Sequence, residues 1–285
     1  MFSFDSTKQI LTTRLEAIEE YFNADCMFYY GPIGEECVFH LLEIVTEIAQ
    51  EKKNKELVVI LTTGGGSIQC VERIVNILRY HYEKVTFIIP DYAYSAGTVL
   101  CMSGNEIYMN YYSVLGPIDP QTLTKNGDWV SAIGYLDKID ELLKKSRDGT
   151  LTTVEYAILK DFDLGTLKEY EQAKNLSIDL LVKYLIDYKF KDWNVRETTG
   201  RAVTKEYKKQ RAEKIAKKLG SNEWYSHGRP INIQTLEELG LKINDYSENE
   251  PLSKLLFEYY CPMMEFINEN KIYIHTRRTF YEKDY

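Results

Sequence analysis

The stretch that decides the fold is residues 84–100, KVTFIIPDYAYSAGTVL. A β-prone apolar run ends at Pro90, and a second apolar run begins after Ser95, which predicts a buried strand, a turn and then a helix. Ser95 is therefore expected at a helix N-terminus. Unpaired backbone N–H groups there can bind an anion, as acyl transfer requires beside its nucleophile. The alternative is that Ser95 only caps the helix.

A second strand-to-helix turn is predicted in residues 56–67, ELVVILTTGGGS, where three glycines follow an apolar run. The residues after it have the spacing of an amphipathic helix, so both turns should lie at the same edge of one sheet. Glycine lets a backbone N–H approach a ligand closely. Neither nucleotide-binding fingerprint is present, since the chain lacks G-x-G-x-x-G and no Lys-Ser/Thr follows the glycines. An oxyanion hole is therefore the favoured interpretation.

Four sequence blocks occur in a characteristic order. They are TGGGS at 63–67, YSAGT at 94–98, LGPIDPQ at 115–121, and a downstream block of WYSHGRPI at 224–231 with TLEELGL at 235–241. In order and spacing these blocks resemble the serine dehydrogenase proteinase family. That family belongs to the Clp-fold serine peptidases of the ClpP/crotonase superfamily and is related to signal peptide peptidase A.

The resemblance covers about residues 11–243 and implies an α/β fold, with ClpP/crotonase-like layers, mostly parallel strands and an added helical region. It implies that Ser95 is the nucleophile. By the same resemblance, the N–H groups of Gly65 or Gly66 and of Ala96 form the oxyanion hole. The implied function is that of a serine peptidase, a hydrolase that cleaves peptide bonds and needs no cofactor.

The general base has two candidates. The histidine that Clp-type peptidases use aligns with Gly116, so that version of the triad is absent. Fold relatives that lack it use a lysine on a helix, and Lys138 lies about forty residues after Ser95, with Lys144 and Lys145 as competing candidates. A lysine acts as a base only if burial or a nearby cation lowers its pKa. Helical lysines are mostly solvated.

His227 is the other candidate base. It precedes a helix start at 232–235 that resembles the segment after the third triad residue of Clp-type peptidases, so the chain is expected to return to the active-site edge there. Histidine is the usual base near neutral pH, and the alternative is a surface-loop residue. Lys138 is the favoured base, because fold relatives that lack the Clp-type histidine use a lysine and its spacing from Ser95 is suitable. His227 is then expected to orient the dyad or bind substrate. His40, His81 and His275 have no ligand-like spacing, so no metal site is predicted.

Composition excludes several classes of protein. The chain has 285 residues, 44% of them hydrophobic, and a net charge of −8, which disfavours nucleic acid as a partner. Five cysteines, an odd number, are expected to be reduced packing residues. No apolar run is long enough to span a membrane, and the first residues resemble no secretory leader. These features predict a cytoplasmic location without a membrane span.

Four segments follow from the pattern along the chain. Residues 1–125 alternate strands and helices and are predicted as the Clp-like core, and 126–220 as a helical insertion or oligomerisation region. Residues 221–250 are predicted to complete the core, and 251–285 to form a C-terminal helix and tail. The abundance of tyrosine, 23 residues, and the resemblance together predict a homo-oligomer.

Three functions are compatible with these observations. The leading hypothesis is a serine peptidase acting on peptides or proteins through an acyl-enzyme on Ser95. The second is a catalytically weakened relative that serves as an oligomeric binding or regulatory subunit, which the absent Clp-type histidine would explain. The third is a crotonase-like acyl-thioester enzyme, which shares the backbone donors but needs no nucleophilic serine.

Overall fold

The computed structural model describes residues 4–51, 55–124, 126–196, 199–267 and 271–284. Its helices are α1 (Phe4–Phe22), α2 (Glu35–Gln50), α3 (Ile68–His81), α4 (Ala96–Met102), α5 (Ala132–Arg147), α6 (Thr153–Lys160), α7 (Leu164–Tyr184), α8 (Lys205–Leu219), α9 (Ile233–Glu238) and α10 (Glu250–Phe266). A π-helical turn, Leu185–Lys189, extends α7, and a 3₁₀ turn, Asn222–Trp224, follows α8.

The strands are β1 (Asp25–Tyr30), β2 (Glu56–Thr62), β3 (Lys84–Ile89), β4 (Tyr92–Ala93), β5 (Glu106–Met109), β6 (Val114–Leu115), β7 (Gln121–Leu123), β8 (Trp129–Ser131), β9 (Asn244–Asp245), β10 (Lys271–His275) and β11 (Phe280–Asp284). The main sheet has the order β11-β10-β1-β2-β3-β5-β9. Neighbours among β1, β2, β3, β5 and β9 pair in parallel. At one edge, β10 pairs antiparallel with both β1 and β11.

Helices cover both faces of this sheet. In β2, the side chains of Leu57, Val59 and Leu61 join one apolar cluster with residues of α2, α3 and α4. Val58 and Ile60 point the other way and join a second cluster with residues of α1 and α10. A parallel strand buried on both faces has to be apolar throughout, as β2 is. The predicted layered α/β fold with a mostly parallel sheet is therefore confirmed.

The helical region is packed onto this core. Buried residues of α7, such as Leu181, and of α8, such as Ile215, belong to the same apolar cluster as β2 and α3. Helix α6 is the exception, since none of its residues is buried. At the other end of the chain, β10 pairs with β1 and so adds the tail to the main sheet. The boundaries at residues 125, 220 and 250 stay predictions.

A row of short backbone pairings lies beyond the carboxyl ends of β2 and β3. Thr63 pairs with Ala93, Ala93 with Leu115, and Leu115 with Ile231. The last pair is antiparallel and is closed by two hydrogen bonds, of 3.0 and 2.9 Å. This row brings the glycine turn, the Ser95 turn, the LGPIDPQ block and the downstream block to one edge of the molecule.

Cys26, Cys37, Cys70 and Cys101 are buried and Cys261 is partly buried, all as free thiols. Within the described ranges, no helix combines the length and the apolar character needed to cross a bilayer.

Candidate active site

Ser95 occupies a strained turn. Its φ and ψ are 53° and −117°, a region that residues other than glycine rarely adopt and that is found mostly at functional positions. Ser95 immediately precedes α4, yet its side chain makes no capping hydrogen bond. Ser67, by contrast, caps α3 by accepting from Cys70 N at 3.2 Å. The half-exposed hydroxyl of Ser95 is therefore not used to hold the helix end.

The glycine turn lies directly against Ser95. A Cβ on Gly65 would be 2.8 Å from Ser95 Cβ, and one on Gly66 would be 2.1 Å from the carbonyl oxygen of Ile33. Both glycines have positive φ, 103° and 144°. Glycine is required at both positions because any side chain would collide and strain the backbone.

Two backbone N–H groups at this edge are available to a ligand. Gly65 N–H is occupied, since it donates to Thr63 Oγ1 at 3.0 Å. Among the described residues, no acceptor pairs with the N–H of Gly66 or with that of Ala96, the first residue of α4. Two such donors beside a serine hydroxyl are the elements of an oxyanion hole.

We expect Gly66→Ala to destabilise the fold by more than about 1 kcal/mol, because an L-residue at this φ is strained and its Cβ meets Ile33 O. Gly64→Ala is the matched control, since a Cβ at Gly64 has nothing within 4 Å. Urea unfolding of both variants measures the difference. Equal stability of the two variants would contradict the close approach at Gly66.

The position that aligns with the Clp-type histidine has no room for a side chain. A Cβ on Gly116 would lie 2.3 Å from Tyr94 Cδ1. Thr98 fixes this arrangement, since its Oγ1 is 2.9 Å from the carbonyl oxygens of Ala93 and Gly116 and accepts from Gly116 N at 3.0 Å. The ring of Tyr94 thus excludes a histidine at residue 116, and a base has to come from another segment.

His227 and Asp119 form a hydrogen-bonded pair, with 2.8 Å between Nδ1 and Oδ1. Asp119 lies four residues after Leu115 and His227 four residues before Ile231, so the antiparallel Leu115–Ile231 pairing brings them opposite each other. Because a carboxylate only accepts, Nδ1 carries a proton, and whenever the ring is neutral Nε2 is an acceptor.

The environment of the Asp119 carboxylate favours its charged form. Burial alone would raise the pKa of Asp119, but the hydrogen bond and charge of His227 outweigh it and hold the pKa below its ordinary value. The second oxygen, Oδ2, accepts from Gln121 Nε2 at 3.0 Å. The carboxylate is 6% exposed and the imidazole 24%, so the pair is shielded while the ring stays accessible.

A cavity of about 330 Å³ opens beside this pair. Its walls come from Asp119, from the β7–β8 hairpin that follows it and from the loop between α8 and Ile231. The lining residues are Asp119, Gln121, Trp129, Val130, Ser131, Ser221, Asn222, Trp224, Tyr225, Ser226, His227 and Gly228. Ser95 and the glycines of 64–66 do not line it. No hydrogen bond between Ser95 and His227 occurs in the part of the chain that the structure describes.

The three candidate lysines belong to α5, and their side chains are exposed or partly exposed. Lys138 is 58% exposed, and its Nζ is 2.8 Å from Glu141 Oε2. Lys145 pairs with Glu155 and Glu141, and Lys144 is exposed. Among the described residues, none of the three has a hydrogen bond or ion pair with the Ser95 turn.

Asp119 and Gln121 were missed as functional candidates, although both belong to the LGPIDPQ block at 115–121. A signal was present, because an isolated acidic residue between two prolines in an otherwise apolar segment needs a partner when buried. Its partner is 108 residues away. Among the described residues, no group of three or more His, Cys, Asp or Glu side chains could hold a metal ion.

The sequence pattern of the ClpP-like SDH-type serine proteinases matches residues 40–201, more than half of the chain. The chain belongs to this family. The chain is 29% identical over 202 residues to one uncharacterized protein of Methanocaldococcus jannaschii and 26% identical over 224 residues to another. The alignments cover 71% and 78% of the chain but only 56% and 65% of those relatives.

Two solved structures are also similar to the chain. Both are mutants of a 1510-N membrane-bound stomatin-specific protease, the second in complex with a substrate peptide, and each is 14% identical to this chain over 80% of its length. The matches cover 81% and 77% of those chains, with TM-scores of 0.46 and 0.47.

Proposed function

We propose that this proteinase hydrolyses peptide bonds through an acyl-enzyme on Ser95, with His227 as the general base and Asp119 as its partner. The N–H groups of Gly66 and Ala96 would stabilise the oxyanion. The observation that carries the proposal is the buried Asp119 carboxylate bonded to Nδ1 of His227, at the edge where the strained, uncapped Ser95 lies.

The relative positions support this assignment. Ser95 comes two residues after Ala93, and the pairings of Ala93 with Leu115 and of Leu115 with Ile231 place the Ser95 turn and the His227 segment on either side of the LGPIDPQ block. Hydrogen bonds between catalytic groups are often long in free enzymes and shorten when substrate binds.

The reaction follows from these groups. Ser95 Oγ attacks the carbonyl carbon while its proton passes to His227 Nε2, and the developing oxyanion accepts hydrogen bonds from Gly66 and Ala96. The C–N bond then breaks as His227 gives the proton to the leaving amine, which leaves an ester on Ser95. Water repeats the sequence, releasing the acid and restoring Ser95. Asp119 stabilises the imidazolium formed in each step.

Lys138 is the alternative base. Its ammonium group is exposed and paired with Glu141 on α5, without the burial or nearby cation that would lower the pKa of a lysine base. We therefore propose His227 in preference to Lys138. A peptide or protein substrate, homo-oligomeric assembly and a cytoplasmic location stay predictions.

A fluorophosphonate probe tests the proposal. We expect rapid covalent labelling of the wild-type protein, located at Ser95 by peptide mass spectrometry, because only a serine with a working base and oxyanion hole reacts quickly. Heat-unfolded protein is the control and should not react. Absence of labelling would favour the regulatory-subunit hypothesis, and turnover of acyl-thioesters without labelling would favour a crotonase-like enzyme.

A further inference from the structure

The cavity beside His227 lies on one side of the proposed catalytic groups. It is lined by His227 and Asp119, but not by Ser95, Gly66 or Ala96. In the proposed reaction the imidazole delivers a proton to the leaving amine, so Nε2 must come within about 3 Å of that nitrogen. The residue that carries this nitrogen is then the part of the substrate nearest to His227, and consecutive Cα atoms are only about 3.8 Å apart.

From this position we propose that the cavity binds an aromatic side chain of the residue that follows the scissile bond. The inference rests on the proposed function, and it names the substrate preference of that same site. A cavity of about 330 Å³ is within the range of about 300–1,000 Å³ that ligand pockets have. It is therefore large enough for one aromatic side chain.

Aromatic rings supply the apolar contacts in a lining that is otherwise largely polar, and these rings favour an aromatic group. Trp129, Trp224 and Tyr225 contribute three aromatic rings, and the Trp224 ring is held by its Nε1–H donating to Lys218 O at 2.8 Å. The lining contains one carboxylate, Asp119, whose two oxygens are already engaged by His227 and Gln121. A charged side chain would thus enter without a counter-ion of its own, whereas an aromatic ring gains offset or edge-to-face contacts.

The mouth of the cavity exposes apolar surface that a ligand would cover. Trp129 is 68% and Tyr225 96% exposed. Tyr225 is also held in the left-handed region, with φ of 62°, a conformation that non-glycine residues adopt rarely and often beside ligands. Trp129 belongs to β8 and Tyr225 to the loop before His227, so two separate segments of the chain contribute exposed rings to the lining.

Paired peptides test the inference. The two members share the acyl half and differ only in the residue after the scissile bond, phenylalanine in one and alanine in the other. We expect kcat/KM to be at least about tenfold higher for the phenylalanine peptide, because a single methylene in a hydrophobic contact is already worth about tenfold or more. Peptides with lysine or glutamate at this position should be cleaved no faster than the alanine peptide.

Three variants attribute the preference to the cavity. Trp129→Ala and Tyr225→Gly should bring the ratio of the two kcat/KM values close to one, and glycine suits the positive φ of Tyr225. Leu123→Ala is the matched control, because Leu123 pairs with Trp129 across the hairpin and is exposed but does not line the cavity. Its ratio should equal that of the wild type.

Fluorophosphonate labelling separates failure of the inference from failure of the proposed function. The probe has no residue after a scissile bond, so Trp129→Ala should label at the wild-type rate. Two results would overturn the inference alone. One is a wild-type protein that is labelled but cleaves both peptides with the same kcat/KM. The other is a Trp129→Ala variant in which kcat/KM falls by the same factor for both peptides. Wild-type protein that does not label at all would overturn the proposed function on which it rests.

Discussion

Ser95→Ala is expected to lower peptide hydrolysis by about 10⁶-fold, the loss seen when a triad nucleophile is removed, and to eliminate probe labelling. The free energy of unfolding should change little, because the Ser95 side chain makes no capping hydrogen bond. Steady-state kinetics and urea unfolding measure the two effects separately. Retained hydrolysis would refute the peptidase mechanism.

Ser67→Ala is the matched control at a second helix start. Here the hydroxyl does cap its helix, by accepting from Cys70 N, so its removal should cost about 0.5–2 kcal/mol of stability. Hydrolysis should persist at temperatures where this variant is folded. Opposite outcomes for the two serines would distinguish a nucleophile from a cap, the alternatives that the sequence leaves open.

The second large effect is expected for the base. His227→Ala should reduce kcat by about 10⁴-fold or more, as should Asp119→Asn, which favours the wrong imidazole tautomer. Lys138→Ala should stay within about twofold of the wild type, because it removes an exposed ion pair with Glu141. The kcat values of these folded variants decide between the two bases. An inactive Lys138→Ala variant with an active His227→Ala variant would reverse the assignment.

The pH profile gives an independent check on the base. A histidine base gives a kcat/KM that levels off above about pH 7, whereas a lysine base gives one that continues to rise. Because His227 holds the pKa of Asp119 below its ordinary value, this carboxylate remains charged across the acid limb of a histidine profile. The acid limb should therefore not be set by protonation of Asp119.

Much of the fold was predictable because local signals agreed with the tertiary structure. The strand runs around Val59 and Phe87 are apolar throughout, as parallel strands buried on both faces must be. The tail was not assigned a role, since residues 271–284 read as mixed charged and aromatic sequence. Their place in the sheet depends on antiparallel pairing of β10 with β1, a contact about 250 residues apart along the chain.

The candidate site was predictable where its parts are local. Ser95 and the glycine turn follow from strand, turn and helix signals within short windows. Which glycine N–H is unpaired does not follow from the sequence, because it depends on the hydrogen bond that Gly65 N–H donates to Thr63 Oγ1. Asp119 was missed because its partner His227 is distant in sequence. Only the Leu115–Ile231 pairing reveals that the two residues are opposite each other.

That pairing also bears on how the enzyme is synthesised. A nascent chain would contain Ser95 and its oxyanion donors well before His227 is translated, an interval on the order of ten seconds at about 5–20 residues per second. Until the segment around Ile231 joins Leu115, Asp119 has no imidazole beside it. On the proposed mechanism, the ribosome-bound precursor could not digest neighbouring nascent chains, and proteolytic competence would be acquired only upon late folding.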